Sequence, residues 1–207
     1  MKNLLFRGSR LALGAMALSL VALPAQAAMA KTTSAATTAT SSTTCNTDPV
    51  LTQPFLAYRD SNWYTLVPGQ TPDNFQGTGW TLTGGAKLLS SSVLDGSTGS
   101  VLDLPPGSTV TSPIMCVESG MNLARMITRV VGGPENNSTS FQVYSAAGKT
   151  IGGSMGVNGG SSWALSPPVN VVPGSFSGWE SVYFTFTAKA KAGDLQLYDF
   201  YVDPRMR

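Results

Sequence analysis

Between residues 182 and 188 the chain alternates strictly: Val182, Phe184, Phe186 and Ala188 are interleaved with Tyr183, Thr185 and Thr187. Successive side chains of a strand point to opposite faces, so a period of two marks a strand with one face buried and one turned outward. The same period recurs through the chain, broken every eight to fifteen residues by Gly, Pro, Ser or Asn. That punctuation is the signature of a β-sandwich or barrel. Composition agrees. Gly (22) and Pro (13) are abundant while only 12% of residues are charged, a balance that supplies many turns and little material for solvated helices.

The expected strands follow from this pattern. Residues 80–83 and 86–89 read as a hairpin around Gly84-Gly85, a pair suited to the positive φ of a tight turn. Residues 100–104 form a short strand ended by Pro105-Pro106-Gly107. Residues 109–112 and 114–117 flank Pro113, which cannot donate to a ladder and so marks an edge or an interruption. In residues 121–131, Leu123, Arg125, Ile127, Arg129 and Val131 share one face and Ala124, Met126, Thr128 and Val130 the other, with a helix as the alternative. Phe141 and Val143 alternate with Gln142 and Tyr144. The run 195–202 is apolar on both faces and is expected at the centre of a sheet. Eight to ten strands and no helix are expected.

Ahead of this domain, Lys2, Arg7 and Arg10 precede an apolar run of 13 residues, 11–23, and Pro24-Ala25-Gln26-Ala27 supplies a small-residue cleavage pattern. This is a secretory signal peptide over residues 1–27, with a second cleavage pattern ending at Ala30. The run is about 20 Å long as a helix, too short for a hydrocarbon core of about 30 Å, so no membrane insertion is expected after cleavage. Residues 28–44 are Thr, Ser and Ala apart from Met29 and the single charge, Lys31, and read as a flexible linker. The β-sandwich domain is then 45–207. Removing the leader leaves 10 basic against 11 acidic residues, a net charge of −1, with no Lys/Arg run. A nucleic-acid partner is therefore not expected. Export to an oxidising compartment also makes Cys45 and Cys116 a disulfide, stabilising by about 4 kcal/mol in the chain-entropy model.

The chain has no histidine. Ser-His-Asp and Cys-His mechanisms and His-ligated zinc are thereby excluded, since each requires neutral imidazole. Any catalysis falls to carboxylates, Lys or Tyr, and no carboxylate pair of glycosidase type is singled out among residues such as Asp73, Asp95 and Glu135. The Gly-rich pieces 152–156 and 158–160 lack the Lys-Ser/Thr of a phosphate loop and are turns. Asn136 and Asn137 open glycosylation-type sequons.

Asn74-Phe75-Gln76-Gly77-Thr78-Gly79-Trp80-Thr81 resembles the opening N-x-F-E-x-G-x-x-x-W stretch of galactose-binding-like jelly rolls found in carbohydrate-binding modules. The closing run 195–203 resembles their last strand, and Ser161-Ser162-Trp163 their Trp-led strand. With the segment 53–64 joined ahead, the chain also looks like a group of secreted proteins of actinomycete-type bacteria. The resemblance implies a jelly-roll β-sandwich acting as a non-catalytic module for polysaccharide or cell-wall glycan, with an extracellular structural or interaction protein lacking a small-molecule site as the alternative and a histidine-free glycosidase or lyase after it. Such modules often hold a structural calcium, but Gln76 stands where the family has glutamate and Tyr198 replaces the first closing aspartate, leaving Asp199; the loss of two carboxylates weakens the case for the ion, and the alternative is that Asp199 hydrogen-bonds a neighbouring loop. No other cofactor is expected.

Glycan recognition requires aromatic faces and planar polar groups. Tyr144 and Tyr183 lie opposite the core parity, on an outward face. Arg125 and Arg129, four apart on one strand face, fork onto sugar hydroxyls or else pair with acids. Trp179 and Trp63-Tyr64 lie in Gly-, Ser- and Asn-rich segments, as loop anchors or ligand platforms, whereas Trp80 shares the parity of Leu82 and belongs to the core.

Overall fold

A computed structural model describes residues 45, 49–120, 123–133, 139–152, 154–171, 178–191 and 193–203. Residues 1–27 and 28–44, read from the sequence as a leader and a linker, lie outside the described residues, as do Glu135, Asn136 and Asn137. Cys45 and Cys116 form the expected disulfide, closing a sequence separation of 71.

Thirteen strands are present among the described residues, together with one 3₁₀ turn, Leu56–Tyr58. They are β1 (Thr65–Leu66), β2 (Thr81–Thr83), β3 (Lys87–Ser92), β4 (Thr98–Leu104), β5 (Thr109–Thr111), β6 (Met115–Glu118), β7 (Leu123–Val131), β8 (Thr139–Ser145), β9 (Met155–Val157), β10 (Ala164–Leu165), β11 (Val169–Asn170), β12 (Trp179–Thr187) and β13 (Asp194–Asp203). The first sheet has the order β10-β7-β13-β4-β3, with β1 beside β13 and β11 beside β7. The second has the order β2-β5-β12-β8-β9, with β6 beside β12. Every ladder is antiparallel. From β4 to β13 the chain passes between the sheets so that β4-β13-β7-β10 faces β5-β12-β8-β9, the interleaving of a jelly roll.

The long alternating run is strand β7, not a helix, and its Ala124, Met126, Thr128 and Val130 are buried. Pro113 does interrupt a strand: β5 and β6 lie end to end along the same side of β12. The run 195–202 is central, between β7 and β4.

The expected hairpin at Gly84-Gly85 is absent. β2 belongs to the second sheet and β3 to the first, so the Gly pair carries the chain across the sandwich edge. Both glycines have positive φ (65° and 93°), and a Cβ on Gly84 would stand 2.8 Å from the Cα of Ser108. The Pro105–Ser108 turn makes the parallel crossing from β4 to β5 at that corner, and only a residue without a side chain lets the two crossings touch. The true hairpin joins β3 to β4, from Lys87↔Asp103 to Ser92↔Thr98.

One irregularity organises the core. Register along β13 and β7 runs Tyr198↔Ile127 and then Tyr201↔Arg125, so two residues of β13 oppose the single Met126. Asp199, at φ +51, is the extra residue of this β-bulge. Side-chain parity reverses across it. Leu195 and Leu197 point inward before the bulge and Phe200 and Val202 after it, while Tyr198 and Tyr201 both face outward. Phe200 thereby meets the aromatic layer of the opposite sheet, with ring centroids 5.2 Å from Phe184, 5.3 Å from Phe186 and 5.9 Å from Phe141. Trp80 closes the end of this cluster, 6.4 Å from Phe200 and 4.8 Å from Phe75.

Phe200→Ala is expected to cost about 3–5 kcal/mol, the range for a buried Phe with partial collapse of the cavity. Chemical denaturation should show the midpoint falling with an unchanged slope.

Candidate functional site

The bulge also builds a pocket on the outward face of the first sheet. Gln70 holds the bulged backbone: its Oε1 accepts from Phe200 N (3.2 Å), and its Nε2 donates to the carbonyls of Val67 (3.2 Å) and Phe200 (3.4 Å). Asp199 Oδ1 accepts from Asp73 N at 2.8 Å. Asp73 sits at φ +59 in the tight turn Thr71-Pro72-Asp73-Asn74, closed by paired backbone bonds between Thr71 and Asn74. The β3–β4 turn forms another wall, where Asp95 Oδ1 accepts from Ser97 N and Leu94 N donates to the Tyr198 hydroxyl at 2.9 Å.

The remaining wall is the segment ahead of β1. Thr52 and Tyr64 exchange backbone bonds and close it into a loop. Phe55 anchors this loop, edge-on to Tyr64 (5.2 Å) and Tyr201 (5.4 Å), and carries Tyr58 at 6.5 Å. Asp60 fixes the loop to the sheet by accepting from the Tyr64 hydroxyl (2.7 Å) and from Arg125 Nη1 (2.5 Å). Burial alone would raise the Asp60 pKa, but hydrogen bonds from Tyr64, Arg125 and the Asn62 amide outweigh it and hold the carboxyl below its usual value.

The enclosed volume is about 310 Å³, lined by Thr52, Gln53, Pro54, Phe55, Tyr58, Pro72, Asp73, Leu94, Asp95, Ile127, Tyr198, Asp199 and Tyr201. This is at the lower end of small-ligand sites. Tyr58 is 43% exposed and offers an aromatic surface at the mouth. Tyr201 is 3% exposed, yet among the described residues its hydroxyl has no hydrogen-bond partner. The Tyr201 side chain lines the pocket, so its hydroxyl is a donor available to whatever fills it. Burial, reinforced by Asp199 and Asp73, holds the Tyr201 hydroxyl protonated well above the usual phenol range.

The three carboxylates differ in state. Burial, and then the charge of Asp73, pushes Asp199 up to about 7 against the pull of the Asp73 amide. Asp73 is raised by burial and by Asp95. Asp95, bonded to Ser97, is held low and ionised.

The residues singled out by sequence fall in several places. Arg125 and Arg129 do share the outward face of the first sheet, but both are engaged there. Besides Asp60, Arg125 donates to Ser166 O from Nε (3.1 Å) and Nη2 (2.8 Å). Arg129 donates to Gln196 Oε1 (2.8 Å) and Ser91 Oγ (2.9 Å) and lies 4.3 Å from the Trp163 ring centre. Tyr144 and Tyr183 are a direct cross-strand pair on the outward face of the second sheet, stacked 5.2 Å apart at 13°. Each ring therefore spends one face on the other. Beside them run two hydroxyl rows in register across β2, β5 and β12: Thr81, Thr111 and Thr185, then Thr83, Thr109 and Thr187. Trp179 is half-buried at the start of β12, packed against the core opposite Glu118. Trp63 is 47% exposed, whereas Tyr64 is fully buried as an anchor.

The calcium expectation does not fit these residues. Gln76 is exposed, and the amide that reaches the closing strand is Gln70, already satisfied by backbone groups. Among the described residues no group of three or more acidic or cysteine side chains converges as metal ligands.

No family model matches the chain, and no curated protein matches it. Among solved structures it is similar to an arabinose-bound GH51 α-L-arabinofuranosidase, with a TM-score of 0.49 and 14% identity over 70% of this chain and 27% of that one. It is also similar to CsCBM6-3 from Clostridium stercorarium, solved with cellobiose (TM-score 0.40, 17% identity, 61% of this chain and 87% of that one). A third is the CBM22-1 xylan-binding domain of Paenibacillus barcinonensis Xyn10C (TM-score 0.42, 14% identity, 62% and 88%).

Asp199 yields a pH test. In the unfolded chain an Asp titrates near 3.9. The folded state keeps its proton up to about 7. The folded protein thus binds more protons between those values, and stability falls as pH rises through that window. Asp199→Asn keeps the acceptor for Asp73 N and tolerates the positive φ. Its expected effect is to stabilise the protein at pH 8 relative to wild type and to leave it unchanged at pH 4, as read by thermal unfolding.

Proposed function

We propose that the chain is an exported, non-catalytic glycan-binding β-sandwich whose ligand enters the pocket at the β13 bulge. The observation that carries this reading is the Tyr201 side chain, 3% exposed and lining the pocket with no hydroxyl partner among the described residues, beside an exposed Tyr58 ring and a set of carboxylates. A sugar matches that arrangement. Its apolar ring face packs on an aromatic, one hydroxyl accepts from Tyr201, and others donate to aspartates. The leader-like residues 1–27 and the disulfide support an extracellular site of action.

Retention on insoluble polysaccharides, run with the oxidised full chain, tests the reading. Tyr58→Ala is expected to weaken retention roughly tenfold, the loss of one aromatic contact of about 1–1.5 kcal/mol. Tyr183→Ala should leave it unchanged. Retention that is lost on Tyr183→Ala or Trp179→Ala and survives Tyr58→Ala would move the ligand to the second sheet; no retention on any glycan would overturn the proposal.

One observation favours a second reading, glycoside hydrolysis. Asp199 is raised and Asp95 is held low in one pocket, the division of protonation that acid and base carboxylates use. Release of new reducing ends that is abolished by Asp199→Asn would establish it, and intact oligosaccharide after prolonged incubation would remove it.

A further inference from the structure

The charge balance of the pocket narrows its ligand. Asp73, Asp95 and Asp199 line it, and no Lys or Arg does. The two arginines on the same sheet face are turned to other work, Arg125 to Asp60 and Ser166, Arg129 to Gln196, Ser91 and Trp163. The one ion pair of Asp103, with Lys87, lies farther along the sheet. Asp73 and Asp95, both exposed, therefore face a common space with no counter-charge among the described residues, while Asp199 beside them keeps its proton up to about 7. Among the described residues no three acidic side chains converge as metal ligands. Two carboxylates with a neutral acid beside them suit an ammonium, a compact charge with three N–H donors and no acceptor.

Resting on the reading of this pocket as a glycan site, we propose that its ligand is an amino sugar, the glucosamine unit of a deacetylated glycan. Its ammonium lies between Asp73 and Asp95, and its ring packs on Tyr58. The aromatic wall favours that charge as well, through cation–π attraction. Tyr201 separates a sugar from a lysine side chain: a ring hydroxyl accepts its proton, whereas an alkyl ammonium has only donors and leaves it unmet. A uronic acid meets repulsion from Asp73 and Asp95, and N-acetylation removes the cation. The titratable groups facing the ligand are the three aspartates together with Tyr58, Tyr198 and Tyr201. Since the tyrosines stay protonated, the aspartates alone set the charge.

The experiment is titration calorimetry of the full oxidised chain with three hexamers, glucosamine, N-acetylglucosamine and cellohexaose, in low salt at about pH 6, where an amine is protonated. Glucosamine hexamer is expected to bind at least about tenfold tighter than either neutral hexamer. Raising the salt should weaken it, as for a partly exposed charge contact. Asp95→Asn keeps the acceptor for Ser97 N, so the turn survives. That variant, and Asp73→Asn, which tolerates the positive φ and keeps its backbone N–H for Asp199, should each erase most of the preference while retaining residual binding to neutral hexamers. Equal affinity for all three hexamers, lost in Tyr58→Ala, would overturn the amino-sugar inference and leave the glycan site standing. A preference unaffected by both Asn variants would overturn the site. Binding of poly-lysine but of no sugar would overturn the inference and the glycan reading together, as would binding of none.

Discussion

The β-bulge at Asp199 is the constraint on which both halves of the molecule depend. A regular β13 has one parity along its length, so Leu195 and Leu197 facing inward would send Phe200 outward and leave the aromatic layer of the second sheet without its partner. One extra residue reverses the parity. Phe200 then enters the core against Phe141, Phe184 and Phe186, and Tyr198 and Tyr201 stand on the same outward face three positions apart. The backbone groups released by the bulge are met by Gln70 and by the Val67 amide, and the Asp199 side chain ties the Asp73 turn to the strand. Core packing and pocket geometry are consequences of the same irregularity, which is a recurrent use of bulges near sites.

Around that pocket, electrostatics divide cleanly. Arg125 and Asp60 neutralise each other at 2.5 Å and hold the Thr52–Tyr64 loop against the sheet. Removing one partner would leave the other charge largely buried, which costs more than the pair itself contributes. Arg129 leads a chain of contacts through Gln196 to Asp103 and Lys87. The cations of the first sheet are thus consumed in fixing its surface, and the acids at the bulge are left facing the opening. The second sheet presents a contrasting surface, threonine hydroxyls in register with a stacked tyrosine pair at one end and few charges.

Much of the sandwich was legible in the sequence because its long strands alternate. Residues 182–188 and 123–131 carry the two-residue period whether or not their neighbours are known, and Pro113 announces its own interruption. Gly84-Gly85 misled for a physical reason. A pair of glycines at positive φ turns the chain, but nothing local says whether the next strand pairs with the last or crosses to the other sheet, and the deciding contact with Ser108 is distant in sequence. The run 195–202, apolar at nearly every position, hid the parity reversal that an alternating strand would have displayed. Arg125 was legible as a candidate for pairing but not its partner, since Asp60 lies in a loop 65 residues away. The pocket itself was missed. Its walls come from residues 52–58, 72–73, 94–95 and 198–201, none remarkable alone, and the one available signal was the unexplained segment 53–64 ahead of the jelly-roll motif.

The central claim is that the working face is the bulge of the first sheet rather than the open face of the second. Chemical-shift mapping of backbone amides and tyrosine rings during titration with a retained oligosaccharide tests it most directly. The account predicts that shifts concentrate on Tyr58, Asp73, Asp95, Asp199 and Tyr201, with the Tyr201 hydroxyl proton slowing its exchange as it gains a partner. Shifts centred on Tyr144, Tyr183 and the threonine rows, with the bulge silent, would contradict it.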